Sequence, residues 1–147
     1  PRLTARGARS AGWTANGPPV CTAANAQTDV HVGRDAGGGL FFAWDDQRSG
    51  TDNDDIYAMA LASNGQRRAG FPVNGLAVAP GATTQIQPAI ASPPAGAAPI
   101  AWSELSAALH GFSTAAARFS PPGLPHPRVY GTLPAAFPIL QKHSRKQ

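Results

Sequence analysis

Slid against itself by 58 residues, the chain matches without a gap, and this self-similarity limits the fold more than any other feature. "GWTANGPPV" from Gly12 falls on "GFPVNGLAV" from Gly70. "QTDVHVGRDAGGGLFFAWDD" from Gln27 falls on "QIQPAIASPPAGAAPIAWSE" from Gln85. Asn16-Gly17 meets Asn74-Gly75, Val20 meets Val78, Gln27 meets Gln85, Gly38 meets Gly96, and Ala43-Trp44 meets Ala101-Trp102. Leu3, Leu61 and Phe119 continue the ladder to a third rung, as do Gly7, Gly65 and Gly123. A fixed period means that one supersecondary unit is used repeatedly and is stabilised by its neighbours. It divides the chain into the end of a preceding repeat (1–11), a first repeat (12–69), a second, degenerate repeat (70–119) and a basic, Pro-rich tail (120–147).

Inside one unit the pattern is that of short strands. "TDVHVG" at 28–33 alternates, with Val30 and Val32 on one face. Residues 35–39 make a turn, and "LFFAW" at 40–44 reads as a strand buried on both faces. A polar loop at 45–54 leads to "DIYAMALA" at 55–62, then to the turn "SNG" and a short fourth element, "GLAVA", at 75–79. No segment outside the tail keeps a helical period free of Gly and Pro. The expected fold is all-β: an incomplete β-propeller of about two four-stranded antiparallel blades with a 58-residue repeat, followed by a Pro-rich irregular tail. Six prolines between Ser120 and Pro138 exclude a central strand there. Because a propeller closes with four or more blades, the expected partners are the remaining blades of a larger parent chain, or self-association.

Charge narrows the function. Seven of the eight acids lie between Asp29 and Asp55, where the net charge is −5, although the whole chain is +4. The bases are scattered apart from Lys142, Arg145 and Lys146, so no nucleic-acid partner is expected. No apolar run approaches the length of a membrane span. Cys21 is the only cysteine and reads as a small buried hydrophobe. The histidines, His31, His110, His126 and His143, show no ligand spacing. Since the chain opens on Pro1 without a Met, we expect a mature, cut or partial chain.

The stretch "GGGLFFAWDDQRSGTDNDDIYAMALASNG" from Gly37 resembles the propeller-like repeats of large secreted bacterial proteins. In those repeats a Gly-Gly turn, a strand ending in Trp-x-Asp-x-Arg and a strand opening Asp-Ile-Tyr-Ala recur. Trp44, Asp46, Arg48, Asp55, Ile56 and Tyr57 carry the likeness, which spans roughly positions 3–120 and weakens in the second unit. It implies an extracellular or cell-surface location and no particular activity. Sialidase-type propellers are related by architecture, but their Asp-box pattern is absent here.

Three readings of the acidic stretch follow. In the first, Asp46, Arg48 and Asp55 tie the loop between the second and third strands, while Trp44, Tyr57 and Trp102 are structural repeat positions packed in the core. Trp13 and Phe71 then cover a blade edge. In the second, Asp52, Asp54 and Asp55 gather oxygens for Ca²⁺, in the first unit only, because "LSAALHG" at 105–111 replaces the acidic loop in the second. In the third, Asp45 and Asp46 belong to a secreted carbohydrate-active hydrolase, although neighbouring strand residues face opposite ways. The leading expectation is a non-enzymatic repeat segment without a cofactor, a scaffold or a recognition module for a glycan or protein. The hydrolase fragment and the calcium-stabilised module remain the alternatives.

Overall fold

The computed structural model describes residues 3–78, 83–92, 98–106 and 111–119. Its described residues form seven strands: β1 (Gln27–Arg34), β2 (Leu40–Asp46), β3 (Asp55–Leu61), β4 (Leu76–Ala77), β5 (Gln85–Ile90), β6 (Ala98–Ser106) and β7 (Gly111–Phe119). They make two antiparallel sheets, β1-β2-β3-β4 and β5-β6-β7, and no helix. The fold is therefore all-β, and neither sheet closes on itself. The fourth strand expected of the second unit and the Pro-rich irregular tail at 120–147 lie outside the described residues.

Backbone features recur at the 58-residue offset. Register shifts fall between Thr28 and His31 in β1 and between Ile86 and Ala89 in β5. At each shift one residue takes positive φ, Asp29 at 45° and Gln87 at 60°, as an extra residue in a bulge requires. Isolated bridges join Leu3 to Arg9 and Leu61 to Arg67. Turn hydrogen bonds also repeat: the Gly7 amide donates to Thr4 and that of Gly65 to Ala62, while Gly17 donates to Thr14 and Gly75 to Pro72.

Some boundaries differ from expectation. β2 continues through Asp45 and Asp46, which the sequence assigns to the loop, because both carboxylates find partners inside the sheet (below). Leu105, Ser106 and Gly111, expected in a loop, belong instead to β6 and β7, and residues 107–110 lie outside the described residues. Phe71 is a core residue rather than an edge cover. Val30 and Val32 are more than half exposed.

The core fills the space between the sheets and the loops that cover them. Phe41, Ala43, Trp44, Ile56, Ala58 and Met59 from the first sheet join Ala98, Ile100, Trp102 and Ala115 from the second. β5 lies across β1–β3, and polar bonds stitch this seam. The Gln85 amide donates to the Asp54 carbonyl (2.7 Å), the Ile56 amide to Gln85 Oε1 (3.3 Å), and the Arg34 amide to Ser92 Oγ (3.2 Å).

Candidate functional site

The motif residues converge at the end of β2. Strand alternation puts Trp44 and Asp46 on one face, and two residues later the chain turns Arg48 back over them. Trp44 Nε1 donates to Asp46 Oδ2 at 2.7 Å. Arg48 grips the same carboxylate with both arms of its fork, Nε to Oδ1 at 2.8 Å and Nη2 to Oδ2 at 2.6 Å, and its amide adds a third bond at 2.9 Å. A bidentate pair of this kind combines charge with fixed geometry. The guanidinium lies 3.7 Å from the centre of the Tyr57 ring, which itself stacks on Trp44. Its Nη2 also donates to the Asn74 carbonyl (2.7 Å) and reaches Cys21 Sγ (3.4 Å).

This is a lock that ties four separate stretches together: β2, β3, the segment at Cys21 and the turn at Asn74. Asn74 extends it, its side-chain oxygen accepting from the Thr22 amide and hydroxyl. The next residue, Gly75, has φ near +91° and lies so close to Trp44 that an added Cβ would sit 2.5 Å from the indole. Burial alone would raise the Asp46 pKa, but the bonds from Arg48 and Trp44 outweigh it and hold the carboxyl below its ordinary value. The Asp46 bond in turn raises Arg48. Burial raises Tyr57.

A second lock closes the β1–β2 turn. Asp35 is buried and accepts from the Gly39 amide (2.7 Å), and Arg68 pairs with its other oxygen. Arg68 also sits over the Phe41 ring.

The three aspartates offered for calcium differ in their surroundings. Asp52 is exposed, Asp54 half-buried, and Asp55 buried with Ser49 Oγ donating to it at 2.7 Å. Among the described residues no group of three or more His, Cys, Asp or Glu side chains is arranged to hold a metal ion. Asp45 and Asp46 face opposite ways, as strand geometry demands: Asp46 into the lock, Asp45 into the seam, where both its oxygens accept from the Gln87 amide (3.0 and 3.3 Å). Burial, with some repulsion from Asp29 and Asp54, pushes the Asp45 carboxyl up to about 6 despite the Gln87 bond.

The second unit departs at the same place. Trp102 is as buried as Trp44, yet among the described residues its Nε1 has no hydrogen-bond partner. Glu104 replaces Asp46, and its longer side chain accepts instead from Thr83 Oγ1 at 2.7 Å. Position 106 holds Ser where the lock has Arg48.

Beside the locks, an open groove of about 580 Å³ is lined by Leu3, Trp13, Val20, Arg34, Leu40 and Phe42, among others. Trp13 is half-buried on the flat surface of Gly65 and donates from Nε1 to the Ser63 carbonyl (3.1 Å). The roles of Cys21, Asn74, Arg68 and Gln85 are not foreseen from sequence. The recurrence of Asn16 at Asn74 and of Gln27 at Gln85 is the signal that could have marked two of them. Among the described residues no helix is long and apolar enough to cross a membrane. Compared with family models, with curated proteins and with solved structures, the chain has no match in any of the three.

Proposed function

We propose that the chain is a non-enzymatic, propeller-type repeat segment of a secreted or surface protein, serving as a scaffold or as a recognition module for a glycan or protein. One observation carries this reading: the residues most suggestive of chemistry are occupied with holding backbone. Asp46, Arg48, Trp44 and Tyr57 satisfy one another and the Asn74 carbonyl, and Asp35 is held by Arg68 and the Gly39 amide. The offset of 58 residues at which turns, bulges and bridges recur supports a blade-like repeat. Locks of this kind are general devices and specify no ligand.

A second reading, a fragment of a carbohydrate-active hydrolase, draws support from Asp45. A carboxyl titrating at about 6 has the property of a general acid. Against it, Asp45 is buried in the seam facing the Gln87 backbone and does not line the groove beside the locks. Incubation with a panel of chromogenic glycosides separates the two. The scaffold reading expects no turnover above the buffer blank; turnover that Asp45→Asn abolishes would overturn it.

A further inference from the structure

Two faces of the chain correspond to the two sides of the seam it already contains. The positions one repeat after the groove residues are covered: Leu61, at the end of β3, is 3 % exposed, Ile100 in β6 1 %, and Phe71, Val78, Pro88 and Ala98 are buried. The positions 58 residues earlier are open. Leu3 is 60 % exposed, Val30 56 %, and Trp13, Val20, Leu40 and Phe42 are only partly covered. These residues line the 580 Å³ groove or stand beside it. The groove is thus the place that a neighbouring sheet fills one unit further on.

The opposite face of the second sheet shows the reverse. Phe41, Ala43, Ile56 and Ala58 press their side of the first sheet into the seam and are buried. Their counterparts Pro99 and Thr114 are exposed, and Ala101 and Ala116 are half-buried. Leu105 and Phe112, directly paired across β6 and β7, extend this open face. Among the described residues, the first sheet therefore offers a socket and the second sheet a matching plug, both open.

From this we infer that a second copy of the chain docks head to tail, its β6–β7 face seated in the groove of the first. The inference rests on the repeat reading above. Charge supports the pairing. Within the chain the Gln87 backbone amide donates to the Asp45 carboxylate, and no acid stands at position 87. Between copies the same offset sets Asp29 over Ser103, so the acid changes sides and two carboxylates never face each other. Such a contact is heterologous: each copy uses a different patch and leaves one of each open, so association continues until a ring closes or a filament grows.

Val32 on the socket and Phe112 on the plug are exposed, and substituting them spares the folded core. The test is the concentration dependence of mass of the full 147-residue chain by light scattering, with near-UV circular dichroism as the folding control. The wild type is expected to gain mass with concentration. Val32→Asp and Phe112→Asp are each expected to lower the mass toward that of a monomer while keeping the dichroism. Mixed, the two variants still share one intact socket and one intact plug, so a dimer that neither forms alone is expected. A folded wild-type monomer at every concentration would overturn the inference and leave the repeat reading standing. Association untouched by either variant, or no dimer on mixing, would overturn it as well. A chain without near-UV signal would sink both.

Discussion

Replacing each repeat tryptophan by phenylalanine isolates what the lock contributes. Trp44 and Trp102 occupy equivalent strand positions and are equally buried, so Trp44→Phe and Trp102→Phe lose about the same ring area and leave similar gaps. That common cost cancels in the difference between them. What remains is the indole N–H. At Trp44 it donates to the buried Asp46 carboxylate at 2.7 Å, and a hydrogen bond to a charged group contributes about 1.5–3 kcal/mol. At Trp102 it has no partner among the described residues, and leaving a buried donor unsatisfied costs about 1–3 kcal/mol, which phenylalanine removes. Trp44→Phe should therefore be the more destabilising by about 4 kcal/mol. Urea unfolding followed by near-UV circular dichroism reads this directly; with a slope of about 2 kcal/mol/M, the two midpoints should differ by about 2 M. Equal midpoints, or a lower one for Trp102→Phe, at unchanged slope, would refute the reasoning, because the partnering of the two indoles would then carry no energy.

Other expectations follow from the same geometry. Arg48→Lys keeps the charge but loses the fork and the ring contact, so it should cost about 2–3 kcal/mol in urea unfolding; Arg48→Gln should cost about 3–5, since it strands a buried carboxylate. Gly75→Ala should lower the melting temperature well below that of Gly37→Ala, because Gly75 has positive φ and abuts the Trp44 ring, whereas at Gly37 an added Cβ meets only the Asp35 carboxylate at ordinary contact distance. Asp45 predicts a pH dependence. Its folded pKa, about 6, is above the ordinary 3.8, so its contribution is full below pH 3.8 and is lost as pH rises through 6. The loss is about 2–3 kcal/mol, and Asp45→Asn, which still accepts from Gln87, should flatten stability between pH 4 and 6 in a series of urea titrations. Asp46 acts in the opposite sense, its contribution falling away only as pH drops below the ordinary carboxylate range.

Strand positions were legible because turn chemistry punctuates them. Gly-Gly-Gly at 37–39 and Asn-Gly at 64–65 lie beside the observed ends of β1–β3. The pairing of Asp46 with Arg48 could also be read, because a carboxylate and a guanidinium two residues apart after a strand have few other partners. What could not be read was the reach of each group across sequence. Nothing local says that Arg48 also binds the Asn74 carbonyl, or that the Gln85 side chain accepts from the Ile56 amide. Alternation placed Val30 and Val32 on one face, but a period of two says which residues share a face and not whether anything covers it. The extent of β2 was misjudged for a related reason. Two aspartates look like loop residues until each is given donors, and those donors come from Trp44, Arg48 and Gln87.

The two hairpins end in physically different ways, which explains how the second unit can lack the lock. In the first, pairing between β2 and β3 stops at Asp46 opposite Asp55, and the long polar loop beyond is tied down by Arg48 and by Ser49 on Asp55. In the second, the equivalent pair is Glu104 opposite Ser113, and the ladder runs on through Leu105 opposite Phe112 to Ser106 opposite Gly111. Two further rungs and an apolar cross-strand pair replace the charged clamp. A longer ladder holds the strand ends without the ion pair of the first unit, and Trp102 keeps its packing role while its N–H has no partner among the described residues. The exchange also moves apolar surface outward, since Leu105 and Phe112 stand exposed where the first unit has Gln47 and Asp54. The missing lock and the exposed Leu105–Phe112 pair thus both accompany the longer ladder of the second hairpin.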